Sequence, residues 1–345
     1  MKKQFFSMGL IFTLFFSSLS YGGVLLPIDE IENNLGTLWT DFDDNGLSDG
    51  SPLDTGVSCV NDTGYSLSDA ESADGDSDAY DQAFIAAVAG KFLSGGNNEQ
   101  LIQEQSGEKF SSGIINVDAF SGLDITYQLY FPDDIQCARL LLTLENTTDG
   151  TIMSSVQIAN NFGSDSSTVV EETSSGDTVF NTSDLWVVTS DGGPSDPVNT
   201  TILFGPGSPL VTPSLVTLNV CDDSATDGAG VSYDISVPPF STQSLMLIGC
   251  LGGITGTGNT VSGAIAGAQM FNLNTVFDDN PTLICDLTQS ELDSIINFDG
   301  LNAVPCPVTA SAPTLSEWGF IIFALFSGLI AAWFMRRKQG LGVSD

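Results

Sequence analysis

No histidine occurs anywhere in the 345 residues, and only eight lysines and arginines stand against 43 acidic residues. The first absence removes the commonest metal ligand and the commonest general base. It also makes a Ser-His-Asp triad impossible. The second is sharper in the middle of the chain. Between Gly23 and Ala312 the only cations are Lys91, Lys109 and Arg139, against 41 acidic residues, a formal charge of −38. Such a surface repels nucleic acid, whose binding needs Lys and Arg to neutralise phosphates. It repels anionic lipid headgroups too, and it suits high salt, divalent cations or solubility through self-repulsion.

Further motifs are missing. No Cys-x-x-Cys spacing occurs among the six cysteines, which argues against zinc. No phosphate-binding glycine loop stands at a strand–helix junction. A carboxylate pair still permits glycoside hydrolysis, but 41 acids give no means of choosing the pair. Disorder, the usual reading of an acidic chain, is excluded for most of the length. The apolar content is 42%, and β-branched and aromatic residues recur in short runs.

Both ends are hydrophobic. Lys2 and Lys3, the apolar stretch Phe5–Phe16 and the small residues up to Gly22 have the order of a secretory signal. Cleavage by signal peptidase is expected after Ser20 or Gly22. At the other end Trp318–Met335 carries no charge. Its helix would be about 27 Å long, enough to cross a bilayer's hydrocarbon core. Trp318 and Trp333 flank it as interfacial indoles, and Arg336, Arg337 and Lys338 follow as a cytoplasmic stop. The large N-terminal portion is therefore expected on the outer side of the membrane.

Cys59, Cys137, Cys221, Cys250, Cys285 and Cys306 all lie in the exported part. An even count in an oxidising compartment points to up to three disulfides, and 15 pairings are open.

From Phe110 onward, short apolar runs alternate with polar turns. The runs are 123–131, 138–146, 153–160, 184–190, 200–205, 214–220, 231–237 and 243–250. Several alternate apolar and polar residues, as half-buried strands do. Many strands without intervening helices predict a mainly β ectodomain, an antiparallel β-sandwich. "LTQSELDSIINF" predicts a helix near 288–298, with Thr288 and Glu291 as its capping box and Leu287, Leu292, Ile295 and Ile296 as its buried stripe. Arg139 begins a strong strand, and its expected role is a buried salt bridge to one of the many acids.

The expected layout is a signal peptide at 1–22 and an acidic, turn-rich part at 23–109. A β-sandwich core at 110–254 and a mixed segment at 255–302 follow. A stalk with a sorting motif spans 303–317, the transmembrane helix 318–335 and the cytoplasmic tail 336–345.

One acidic stretch has metal-site spacing. Asp41, Asp43, Asn45 and Asp49, with Gly46 at the turn, place oxygens as calcium loops do. The stretch resembles the Asp-x-Asp-x-Asp-Gly loops of EF-hand-like and thrombospondin type 3 sites. It departs from the EF-hand at the twelfth position, where Pro52 stands for the bidentate Glu. Asp54 or the Asp74–Asp81 cluster would have to complete it. The competing reading is an acidic loop held by Asx-turns without an ion. Asn61, Asn146, Asn181 and Asn199 begin Asn-x-Ser/Thr triplets, a pattern with little force in a chain so rich in Ser and Thr.

Pro313, Thr314, Leu315, Ser316, Glu317, Trp318 and Gly319, then an apolar span and terminal cations, resemble the IPTL-CTERM sorting signal of exported bacterial proteins. Position 312 is Ala where that family usually has Ile. The resemblance implies recognition by an exosortase, cleavage near the motif and transfer to the cell surface or extracellular matrix. Asn160–Asp177, with "DLWVVTSDGG" and "DPVNTTILFGPG" after it, resembles a β-rich domain of exported bacterial proteins that carry such signals. The functional expectation is a non-enzymatic envelope or matrix protein in adhesion or carbohydrate contact. The rival is an exported glycoside-active enzyme.

Overall fold

The structure is a computed structural model. It describes residues 24–25, 30–45, 52–53, 64–93, 101–103, 108–115, 122–164, 167–192, 196–221, 226–254, 259–273 and 275–306. The chain divides into two units, Met1–Pro305 and Cys306–Asp345. The first carries all the secondary structure described below.

Among the described residues seventeen strands make up the β layers. They are β1 (Val24–Leu25), β2 (Glu30–Glu32), β3 (Leu38–Asn45), β4 (Gly64–Glu71), β5 (Gln82–Val88) and β6 (Lys91–Phe92). Next come β7 (Ile102–Gln103), β8 (Lys109–Ser111), β9 (Leu123–Tyr130), β10 (Cys137–Asn146), β11 (Ile152–Asn161) and β12 (Val169–Thr173). The last are β13 (Trp186–Ser190), β14 (Asn199–Ile202), β15 (Leu215–Thr217), β16 (Gly228–Val237) and β17 (Thr242–Leu251). One sheet has nine strands in the order β1-β7-β8-β9-β10-β17-β14-β13-β12. The other has eight, β15-β16-β11-β5-β4-β3-β2, with β6 beside β5. Strand pairing is antiparallel throughout both sheets, so the protein is mainly β with a sandwich-like arrangement.

The inner faces of the two sheets share one core. Ile125, Leu129, Leu140, Leu142 and Leu144 of the first meet Val156, Ile158, Val231, Tyr233 and Ile235 of the second. Each fully buried aliphatic side chain of this kind contributes about 1.5–3 kcal/mol. The Tyr127 hydroxyl, buried in this core, donates to the Phe84 carbonyl at 3.0 Å and ties the sheets together.

The central strands of the nine-stranded sheet are buried on both faces. Leu245 and Leu247 of β17 face the inter-sheet core, while Met246 and Ile248 join a second core on the opposite face. That second core is closed by a helical layer of α1 (Val261–Gln269), α2 (Val276–Asp279) and α3 (Gln289–Ser294). Helix α1 is capped by the Thr260 side chain and buries Ala264, Gly267 and Ala268. A Cβ at Gly267 would lie 2.8 Å from the Ile254 backbone nitrogen, so only glycine permits this approach.

Sequence and structure differ in two places. The part at 23–109, expected to be turn-rich, contributes β3 and β4 to the eight-stranded sheet, and β11 pairs directly with β5. The helix expected over 288–298 ends at Ser294. Its capping box is present and its four stripe residues are buried. Ile295 turns extended because the chain here lies alongside β17: the Ile296 N–H donates to the Ser244 carbonyl at 2.9 Å.

Among the described residues no helix is long and apolar enough to cross a membrane. The expected signal peptide at 1–22 and transmembrane segment at 318–335 lie outside the described residues.

Candidate functional site

The outer face of the nine-stranded sheet is polar where α3 only partly covers it. Residues opposite one another in register share a face, and successive residues alternate. Lys109, Tyr130 and Arg139 therefore line one row across β8, β9 and β10, and Ser111, Gln128 and Leu141 the next. Thr126, Thr143 and Ser244 form a third row across β9, β10 and β17.

Arg139 is fully buried in this face. Its Nη1 donates to Asp286 Oδ1 at 2.6 Å and to the Leu283 carbonyl at 2.7 Å. Its Nη2 donates to Asp286 Oδ2 at 2.8 Å and to Gln128 Oε1 at 3.3 Å. The guanidinium carbon stands 4.9 Å from the centre of the Tyr130 ring, a cation–π contact. Lys109 Nζ lies 3.5 Å from the same Asp286 carboxylate. The planar guanidinium fork suits a two-point carboxylate partner, which Lys could not replace. The expected buried salt bridge of Arg139 is thus present, and it fastens the helical layer to the sheet.

Acids gather at one end of this row. Burial, above all, pushes the Glu108 carboxyl up to about 7. Its hydrogen bond to Asp133 and the charges of Asp133 and Asp134 raise it further, and a hydrogen bond from Tyr130 opposes them. Burial also pushes the Tyr130 hydroxyl up, helped by the charges of Asp286 and Glu108 and opposed by Arg139.

Over the second and third rows a pocket of about 260 Å³ opens between the sheet and α3. Thr126, Gln128, Leu141 and Thr143 form its floor, Thr242 its rim, and Ser290, Glu291 and Ser294 its wall. Hydroxyls run from floor to wall: Thr143 Oγ1 and Ser244 Oγ are 3.0 Å apart, and Ser244 Oγ and Ser294 Oγ 2.8 Å. Gln128 is held at both ends, accepting from Arg139 and donating to Ser111 Oγ at 3.4 Å. Glu291 Oε2 accepts from the Thr288 N–H at 2.7 Å as part of the helix cap.

The other sequence-singled residues fall elsewhere. Cys137 and Cys250 are bonded to each other, and Cys221, Cys285 and Cys306 are disulfide-bonded as well. Cys59 lies outside the described residues. Asp41, Asp43 and Asn45 stand in the extended backbone of β3, paired with β4, and not in the turning loop a calcium site of that spacing uses. Asp49 lies outside the described residues. In the second acidic cluster, Asp74 accepts from Ser72 and from the Asn259 N–H, and Asp76 accepts from the Asn259 amide. Among the described residues no three Cys, Asp or Glu side chains gather as metal ligands. Asn146 and Asn199 are buried, and Asn146 donates to three carbonyls, so neither amide is free to carry a glycan. Glu108, Tyr130 and Asp286 escaped the sequence reading. The one signal pointing to them is the rarity of cations, since Lys109 and Arg139 draw these groups together.

Pro313, Thr314, Leu315, Trp318 and Gly319, with Arg336, Arg337 and Lys338, lie outside the described residues. The family model of the IPTL-CTERM motif matches residues 310–337. None of the curated proteins matches the chain. Among solved structures, the Slr1438 protein of Synechocystis sp. PCC 6803 is 11% identical with a TM-score of 0.27, over 45% of this chain and 65% of that one. A putative kojibiose phosphorylase from human microbiome is 8% identical with a TM-score of 0.39, over 76% of this chain and 34% of that one. A galactose mutarotase related enzyme from Lactobacillus acidophilus is 8% identical with a TM-score of 0.32, over 66% of this chain and 98% of that one. The chain thus spans under two thirds of the length of the first two, and at these scores the likenesses carry no argument about activity.

Proposed function

We propose that the chain is an exported bacterial protein, sorted to the cell surface or extracellular matrix, whose β ectodomain works by contact and not by catalysis. The observation that carries this reading is the IPTL-CTERM match at 310–337, directly after a folded, disulfide-bonded domain. In this reading signal peptidase removes the N-terminal 20 or 22 residues. The helix 318–335 then anchors the chain in the inner membrane, with Arg336–Lys338 inside. An exosortase-type enzyme cuts near Pro313–Leu315 and releases or transfers the domain. Adhesion or contact with extracellular carbohydrate is its work there. Calcium at Asp41, Asp43, Asn45 and Asp49 belongs to the same proposal.

The carboxylates support contact over hydrolysis. Glycosidases keep their two acids about 5 Å or more apart. Glu108 and Asp133 are hydrogen-bonded to each other, closer than that spacing permits, and the pocket is lined by a single acid, Glu291.

Intact mass of the mature surface form tests the sorting route. The expected chain lacks both the signal peptide and Trp318–Asp345. A mature chain that retains Trp318–Asp345 while the processing enzyme is active would make the segment a permanent anchor. Polysaccharide hydrolysis abolished by one carboxylate substitution would replace the contact reading with the enzymatic one.

A further inference from the structure

The pocket between α3 and the sheet has a chemistry that selects its occupant. Its lining is mostly hydroxyl, with one amide, one carboxylate and one leucine. The hydroxyls of Thr126, Thr242 and Ser290 bond to no protein group and stand ready for a ligand, unlike those of Thr143 and Ser294. A hydroxyl both donates and accepts, so such a lining matches a ligand that itself carries several hydroxyls. Leu141, buried in the second core, closes the floor beneath the lining hydroxyls. At about 260 Å³ the space lies just under the lower end for drug-sized ligands, about 300 Å³, and suits one small ring.

Charge narrows the class. Glu291 is the one acidic side chain in the lining, and no lysine or arginine stands there. The exported region carries −38 around it, and Arg139 and Lys109 are committed to Asp286. An anionic ligand entering here meets repulsion with no cation to offset it.

We infer that this pocket binds a neutral monosaccharide unit, with Thr126, Thr242, Ser290 and Glu291 as its direct partners. The inference rests on the extracellular display proposed above. Gln128 is a positioning residue: Arg139 and Ser111 fix its amide at the pocket floor.

The test is saturation-transfer NMR on the full-length chain, with glucose, galactose and mannose as neutral probes and glucuronate as the anionic one. A single-ring site predicts a Kd on the order of 1 mM for at least one neutral hexose, and at least tenfold weaker binding of glucuronate. Ser290→Trp fills the pocket from an exposed helix position that bonds nothing, and should abolish the signal with the melting temperature unchanged. Thr126→Val should weaken binding several-fold. The inference is overturned if Ser290→Trp binds as the wild type does, if glucuronate binds as tightly as the hexoses, or if no probe binds. None of these outcomes touches the sorting route, which the mature mass decides separately.

Discussion

Asn297 stands beside Met246 as a neighbouring strand would: its Oδ1 accepts from the Met246 N–H at 3.0 Å and its Nδ2 donates to the Met246 carbonyl at 2.7 Å. The same Nδ2 donates to the Leu203 carbonyl at 2.8 Å. One buried side chain thus completes the ladder where β14 has ended. Asn297→Ala leaves three buried backbone groups without this partner. A loss of about 2–5 kcal/mol in urea unfolding is expected. A loss below about 1 kcal/mol would show that water replaces the amide freely.

Arg139→Ala should cost about 3–5 kcal/mol, because it strands the Asp286 carboxylate under the helical layer. Replacing both partners by apolar side chains, Arg139→Met with Asp286→Leu, should recover more than half of that loss. Equal losses in the single and double variants would mean that the stability comes from packing around the pair and not from the charges.

Glu108 gives the protein a pH dependence of known sign. Its carboxyl is raised in the folded state from 4.5 to about 7. Its contribution is therefore complete below about 4.5 and lost as pH rises to about 7. Glu108→Gln should raise the melting temperature relative to wild type at pH 8, by a margin that closes at pH 4. A margin equal at both pH values would remove Glu108 from the titration.

Cys137 and Cys250 face each other in the register of β10 and β17 and close a sequence separation of 113 residues. Chain-entropy arguments give about 4–5 kcal/mol for closing such a loop. Cys137→Ala with Cys250→Ala should lower stability by about 2–5 kcal/mol, read as a lower urea midpoint. An unchanged midpoint would show that the paired strands already impose the constraint.

Calcium is tested at fixed ionic strength, because 41 acids respond to any salt. Under the proposed site, added calcium raises the melting temperature, and Asp43→Ala loses that response. A variant that keeps the full response assigns it to other carboxylates, in line with the extended backbone of Asp41–Asn45.

The strands that sequence reveals are those with a clean period. β9, β10, β11, β16 and β17 stand within two or three residues of the runs that predict them. β3 is hidden because "LWTDFDDN" carries three acids, and β5 because "QAFIAAV" is rich in alanine. Acids and alanine are both poor strand formers by propensity, overridden here by pairing and burial. α3 is legible from its capping box, but Ile295 and Ile296 extend the apolar stripe past the helix's true end. Arg139 stands out as one cation among many acids. Asp286 does not, since nothing local separates it from the other carboxylates. The pocket is invisible for a related reason: its residues come from β9, β10, β17 and α3, and they meet only once the helical layer folds back.

The placement of the cations has a consequence for copies displayed side by side. Arg139 and Lys109 are turned inward to Asp286 and Lys91 is half-buried, so neighbouring domains present almost one sign of charge to each other. At physiological ionic strength that field decays over about 8 Å. Copies therefore pass freely until nearly touching, and each keeps its own cloud of counterions. Under the proposed surface display, a crowded layer of such domains would draw in water and swell as salt is diluted, and would shrink as salt rises.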